Sequence, residues 1–436
     1  MKLLNKNIKL YAVLATFGLI ASCKPTIEVD EPKFNNQVNF SKYIAIGNSL
    51  TAGYADGGLY LNGQINSFPN MIAEKMKRFD GGEFITPYFS EAQRNGSGYI
   101  RLKALVNGQP VTEAVATDLA IRGVNSAGKP LYTKYTGAEI NNLGVPGMRL
   151  DMAFAEGVGT TAGNPFFERL LSDDNTTSYF TYSTTKNHTF FSFALGNNDV
   201  LGYAMNGAAS SLDPTQTLIS TAMFNRLYNN YINTLTANGQ KGVVATIPDV
   251  TAIPYFTTVT TKALLAAASA EAGTTVQAIY IQTATGVRPA TDKDMFVLPF
   301  STSGLLGKPN AQNIPYGLHS SNPVESEYVL DQAEATLIQQ RIIELNNIVK
   351  SVASNKNLAL ADVHEFFNKV KTGYNYNGVA INNKFITGNA FSLDGIHMTP
   401  MGYAIMANIF IDGINKKYGT SLEKVDAALY PAVLMP

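Results

Sequence analysis

The sequence predicts a three-layer α/β/α domain built on a parallel β-sheet, and three observations predict it. Five short β-rich runs, at residues 43–46, 139–143, 189–195, 242–247 and 358–363, are almost continuously apolar and end near Gly, Pro, Asn or Asp. Strands covered on both faces read this way, whereas a strand with one wet face alternates. Helical patterns lie between and after the runs, and strands that alternate with helices point to parallel pairing through crossover helices. The 436 residues are also 45% hydrophobic, with 23 Phe and 22 Tyr, which suits a large buried core and excludes a globally disordered chain.

The clearest helical pattern covers 214–237. Asp213-Pro214 opens it, Leu218, Ile219, Ala222, Leu227, Tyr228, Tyr231 and Leu235 recur at helical spacing, and Asn238-Gly239 closes it. A second, over 328–353, places Leu337, Ile338, Arg341, Ile342, Leu345, Ile348, Val349 and Val352 along one side. A third starts at Thr399-Pro400, a capping residue followed by proline at the first helical position. Its expected buried stripe is Tyr403, Met406, Ala407, Phe410, Ile411 and Ile414.

Two long stretches, 60–138 and 255–327, depart from this alternation and read as insertions. The first contains an expected hairpin, 99–106 with 111–115 around Asn107-Gly108, and the second opens with an Ala-rich helical segment over 262–272. Because they follow the first and fourth strands, both should overhang the carboxyl edge of the sheet. Tyr255, Phe256 and the run 296–300 can line an acyl-chain pocket, or can form the small core of the insertion itself.

Charge and the amino terminus restrict the function further. Lys and Arg total 33 against 33 Asp and Glu, so the chain lacks the basic excess that nucleic-acid binding needs. Lys2, Lys6 and Lys9 precede a 13-residue apolar stretch, 10–22, too short to span a bilayer and suited to an export signal. It ends at Ile20-Ala21-Ser22-Cys23, which resembles a bacterial lipoprotein box and implies acylation of Cys23, the only cysteine. An intramolecular disulfide is therefore impossible. The expected organisation is a signal peptide (1–22), a lipidated tether (23–40), a single domain with the two insertions (41–420) and a C-terminal tail (421–436). The expected location is the cell envelope, outer membrane included, with the membrane as a partner through the lipid.

The chemistry concentrates at four strand ends. Gly47-Asn-Ser-Leu50 puts Ser49 on a turn just past the first run, without the Gly-x-Ser-x-Gly elbow because Thr51 stands at the second glycine position. A serine hydroxyl attacks only if a base removes its proton, and Asp394-Gly-Ile-His397 supplies one. That spacing lets a carboxylate orient an imidazole within one turn. His188, His319 and His364 lack such a context, and His364-Glu365 lacks the second histidine a zinc site needs. Asn142-Leu-Gly-Val-Pro-Gly147 can expose the Gly147 backbone N–H, and Gly196-Asn-Asn-Asp199 presents the Asn198 amide, both as oxyanion donors.

In chain order, Gly-Asn-Ser-Leu, Asn-x-Gly-x-x-Gly, Gly-Asn-Asn-Asp and Asp-x-x-His resemble the blocks of the SGNH hydrolases, the GDSL esterase/lipase family. The similarity covers about 42–60, 138–255 and 328–418. It implies Ser49 as nucleophile, His397 as base, Asp394 as its orienting acid, and an oxyanion hole from the Ser49 N–H, the Gly147 N–H and Asn198. It also implies a five-stranded parallel sheet in flavodoxin-like order 2-1-3-4-5. The sequence departs from the family in carrying Asn48 where Asp usually precedes the nucleophile. The expected activity is hydrolysis of carboxylic esters through an acyl-enzyme, without metal or cofactor, on a small-molecule, lipid or acylated-glycan ester. Two alternatives stand beside it: a polysaccharide O-deacetylase with the same triad, and a lipoprotein that binds glycan or lipid on an inactive hydrolase fold.

Overall fold

Four parallel strands form the central sheet: β1 (Tyr43–Gly47), β2 (Phe190–Ala194), β3 (Lys241–Ala245) and β4 (Ala359–Ala361), hydrogen-bonded in the order β1-β2-β3-β4. The structure is a computed structural model that describes residues 38–106 and 109–435. Cys23, the expected signal segment, all but the end of the tether and the Asn107-Gly108 turn lie outside the described residues.

The fold class is the expected one, with one correction to the sheet. The run 139–143 contributes not a fifth strand but a single parallel bridge, Asn142 to Ala45, on the free side of β1. The backbone bonds Ala45 N to Asn141 O and Leu143 N to Ala45 O, each 2.8 Å, keep it where the second strand of the 2-1-3-4-5 order belongs. The ladder is interrupted by the Tyr179 hydroxyl, which accepts from Gly47 N at 3.2 Å and donates to Leu143 O at 2.6 Å, while Val145 N still bonds Gly47 O at 3.1 Å once the chain has passed Gly144. A Cβ on that residue would come within 2.4 Å of the Ala52 nitrogen, so only glycine permits the backbone approach.

The strand residues alternate between two helical layers, as their period of two requires. Phe193 of β2 meets Tyr228 and Tyr231 of α3 (Thr221–Leu235), one layer. Phe190 meets Tyr418 of α6 (Pro400–Tyr418), the other. Phe68 of α1 (Phe68–Met76) stacks on Phe410 of α6 with ring centroids 4.6 Å apart. This segment lies in a stretch read as an insertion, yet its Phe68, Ile72 and Met76 are buried in the main core. The remaining layer helices are α2 (Asn198–Met205), α4 (Gln332–Asn355) and α5 (Val363–Thr372).

The helix starts follow their caps. Helix α6 begins at Pro400 with Thr399 as N-cap, and its six expected stripe residues are all buried. Helix α3 begins at Thr221, capped by Ser220, and not at Pro214. Asp213 caps only a 3₁₀ turn, Pro214–Gln216, which Arg149 holds by its carbonyls. Helix α4 starts at Gln332 with a capping box of Asp331 and Glu334, and Leu337 faces solvent where the stripe expected burial. The expected hairpin spans Tyr99–Val106 and Gln109–Val115, and the Ala-rich helix spans Thr261–Ala272. Tyr255, Phe256, Phe296 and Phe300 are buried in the same core as the sheet residues, so they neither build a separate core for the insertion nor line the cleft at Ser49. The segment after α6 packs back on it: Asn408 bonds Val425 N and O at 2.7 and 2.8 Å, and Met401 N bonds Pro431 O.

Candidate active site

The loops at the carboxyl ends of β1, β2 and β3 and the turn before α6 converge on one edge, where parallel α/β sheets carry their ligands. Ser49 is the first residue of a single helical turn, Ser49–Ala52, directly after β1. A first helical residue has no intrahelical acceptor for its N–H. Asn48 is buried and caps the turn, its Oδ1 accepting from Leu50 N at 3.3 Å. Its Nδ2 donates to Asn197 Oδ1 at 2.5 Å. The residue that departs from the family pattern thus bonds as an amide, a role a carboxylate cannot fill toward the same oxygen.

Asp394 and His397 lie on the turn entering α6. His397 Nδ1 bonds Asp394 Oδ2 at 2.7 Å, and Gly57 N donates to the same oxygen at 3.0 Å. Asp394 Oδ1 accepts from the Ile396 and His397 N–H groups, both at 2.8 Å, and from the Ser392 hydroxyl at 3.2 Å. Burial by itself would raise the Asp394 carboxyl. The neighbouring His397 charge and these hydrogen bonds outweigh it and hold the carboxyl well below the usual carboxylate range. The Tyr54 ring lies 4.6 Å from the imidazole, tilted by 46°, and packs its face.

Ser49 and His397 border one narrow cleft of about 20 Å³, walled by Leu201, Val250, Ile253 and Phe367. Among the described residues the Ser49 hydroxyl makes no hydrogen bond, to His397 or elsewhere. Such contacts commonly tighten only once substrate is bound. Gly147 takes φ = 79°, which a glycine adopts without penalty, and its N–H has no partner among the described residues. Asn198 is half-buried and gives one amide hydrogen to Met148 O at 3.0 Å, leaving the second available. Gly147 and Asn198 border a second, larger cavity of about 360 Å³ that shares Leu201 with the cleft.

Several residues that brace this edge are absent from the sequence reading. Arg149 is buried, pairs with Asp151 at 2.9 and 2.7 Å, and donates to the carbonyls of Asn198, Thr215 and Thr217. Asp199 accepts from Leu150 N and Asp151 N at 2.8 and 3.2 Å. Burial, with the Asp151 charge, pushes its carboxyl up to about 6 against the pull of Arg149. Together they tie the Gly147 loop to the start of α2. Asp56 braces the other side: it accepts from Leu393 N and the Tyr60 hydroxyl, and its N–H donates to Ser392 Oγ. Burial raises its carboxyl. Asp199 carried a readable signal, since it directly follows Asn198 in the Gly-Asn-Asn-Asp block. The second insertion is fastened to the histidine turn by Tyr255 N donating to Gly395 O at 2.9 Å.

A parallel α/β sheet with a serine, a histidine–carboxylate pair and free N–H donors at one edge defines a hydrolase-type site. The family model for the GDSL-like lipase/acylhydrolases matches residues 43–410. The chain belongs to this family of esterase-type hydrolases. Solved structures similar to it include a lipase/acylhydrolase from Enterococcus faecalis, 13% identical, with a TM-score of 0.33 over 88% of this chain and 99% of that one. Another is LAE5, an alpha/beta hydrolase enzyme from the metagenome of Lake Arreo, Spain, 11% identical, with a TM-score of 0.36 over 86% and 95% of the two chains. A comparison with curated proteins finds no match.

Proposed function

We propose that the protein is a serine esterase that hydrolyses short-chain carboxylic esters. Ser49 Oγ attacks the ester carbonyl while His397 takes its proton, with Asp394 holding the ring so that Nδ1 carries hydrogen and Nε2 is the base. The developing oxyanion is received by the Ser49 N–H, the Gly147 N–H and the Asn198 amide. His397 then returns the proton to the departing alcohol. Water, deprotonated by the same imidazole, releases the acid and restores Ser49. The observation that carries this reading is the 2.7 Å His397–Asp394 bond on a cleft shared with Ser49.

The size of that cleft supports a short acyl group. A space of about 20 Å³ accepts one water-sized group, such as a methyl, and Leu50, Val250, Ile253 and Phe367 in its walls are buried core side chains. Hydrolysis of p-nitrophenyl acetate should exceed that of the hexanoate by roughly 10-fold or more in kcat/KM, since one excess methylene already costs about that factor. A rate that rises with chain length contradicts the short-acyl assignment.

The proposed setting is the cell envelope, with Cys23 acylated and the 23–40 segment as tether. The reading rests on the single cysteine at the end of an apolar run. Wild-type protein should partition with membranes and Cys23→Ser should not; equal partitioning of the two contradicts the anchor.

A further inference from the structure

The 360 Å³ cavity beside Gly147 and Asn198 is about the size of a small-ligand site and lies outside the Ser49–His397 cleft. Leu201 and Met205 of α2 form an apolar wall, and Asn206 and Gln216 supply amides at its rim. Gln216 Oε1 accepts from the Ser211 hydroxyl at 2.5 Å, while its Nε2 donates to nothing among the described residues. Asn206 is the mirror case: Nδ2 donates to Ala209 O at 3.3 Å and Oδ1 accepts nothing among the described residues. Arg149, at the floor, has its charge matched by Asp151 and its Nη1 occupied by three carbonyls.

These features select a ligand class. An anion would want the Arg149 charge, which is already neutralised. A long acyl chain would cover the two half-buried amides and leave the free N–H of one and the free carbonyl of the other without a partner. A hydroxyl both donates and accepts, so neighbouring hydroxyls satisfy one free N–H and one free carbonyl together. The C–H face of a polyhydroxylated ring then packs on Leu201 and Met205. Resting on the esterase reading above, we propose that this cavity is the subsite for the alcohol portion of the substrate, and that this portion is a neutral sugar bearing a short acyl ester. The acyl methyl occupies the narrow cleft and the sugar ring the open cavity, with the shared Leu201 wall between them.

The test compares mono-O-acetylglucose with p-nitrophenyl acetate on the full protein and on Asn206→Ala, Gln216→Ala and Gln216→Met. The Met variant keeps side-chain length without the N–H. Each variant should lose roughly 10-fold in kcat/KM on the sugar ester, chiefly through KM, and stay within about 2-fold on p-nitrophenyl acetate. Equal losses on both substrates in all three variants overturn the subsite. So does a wild-type protein that turns over p-nitrophenyl acetate and leaves the sugar ester intact, an outcome under which the esterase reading stands. A folded wild-type protein inert toward p-nitrophenyl acetate and the sugar ester removes the esterase reading and the subsite together.

Discussion

Ser49→Ala removes ester hydrolysis, with kcat expected to fall by a factor on the order of 10⁶, while the fold is retained. The size of the loss follows from the absence of a substitute nucleophile. The cleft beside His397 is otherwise walled by apolar residues, Leu201, Val250, Ile253 and Phe367 among them, and by the Asn197 amide, none of which can form an acyl intermediate. The fold survives because the hydroxyl supports nothing: among the described residues Ser49 Oγ makes no hydrogen bond, and alanine is a good helix former at the start of the turn. The change in stability should therefore remain within about 1 kcal/mol. Turnover of p-nitrophenyl acetate by purified wild type and variant, with a urea melt of each, checks both halves. Retained turnover in a folded variant rejects Ser49 as nucleophile.

Asp394→Asn should lower kcat by roughly 10⁴-fold for a different reason. The carboxylate accepts on both oxygens, from Ile396, His397 and Ser392 on one and from His397 Nδ1 and Gly57 on the other. An amide has a single acceptor oxygen. If that oxygen keeps the backbone N–H groups of the turn, its NH₂ faces His397 Nδ1 and drives the ring to the tautomer that carries hydrogen on Nε2, where the base should be. The pH dependence separates the two members of the pair. A carboxyl held below its unfolded value contributes stability above about pH 4, and that contribution is lost only as pH falls through the depressed folded value. Asp394 therefore adds no limb to the rate profile in the neutral range, and a limb found there reports the general base. A wild-type profile flat from about pH 4 to about pH 9 contradicts His397 as base.

What was legible beforehand depended on distance along the chain. Asp394 and His397 are three residues apart, so spacing alone describes their contact. Thr399-Pro400 announces the start of α6 because cap and first-turn proline are local signals. Arg149 is different: the carbonyls it holds lie 49 to 68 residues away, and no local pattern marks a guanidinium that ties three loops. The first insertion misled in a similar way. Phe68–Met76 falls in a stretch that reads as an insertion, and only the tertiary contact of Phe68 with Phe410 makes it a core helix. The run 139–143 had strand character and a strand's neighbour in β1, but the Tyr179 hydroxyl takes the Gly47 N–H and the Leu143 carbonyl that would extend the ladder, and one bridge is formed. The narrow cleft and the amide-rimmed cavity were beyond sequence reading altogether, since Phe367 and Ile253, or Asn206 and Gln216, meet only through the packing of segments distant in the chain.

The central claim is that Ser49 is activated by His397, and covalent labelling tests it most directly. A fluorophosphonate reacts with serines whose proton is removed by a base and whose developing charge is stabilised by an oxyanion hole. Exposure of the folded protein to such a probe, followed by mass-spectrometric mapping, should place the label on Ser49 and show its loss in His397→Ala. Label on another residue, no label on well-folded protein, or labelling of Ser49 that persists undiminished in His397→Ala would contradict the account.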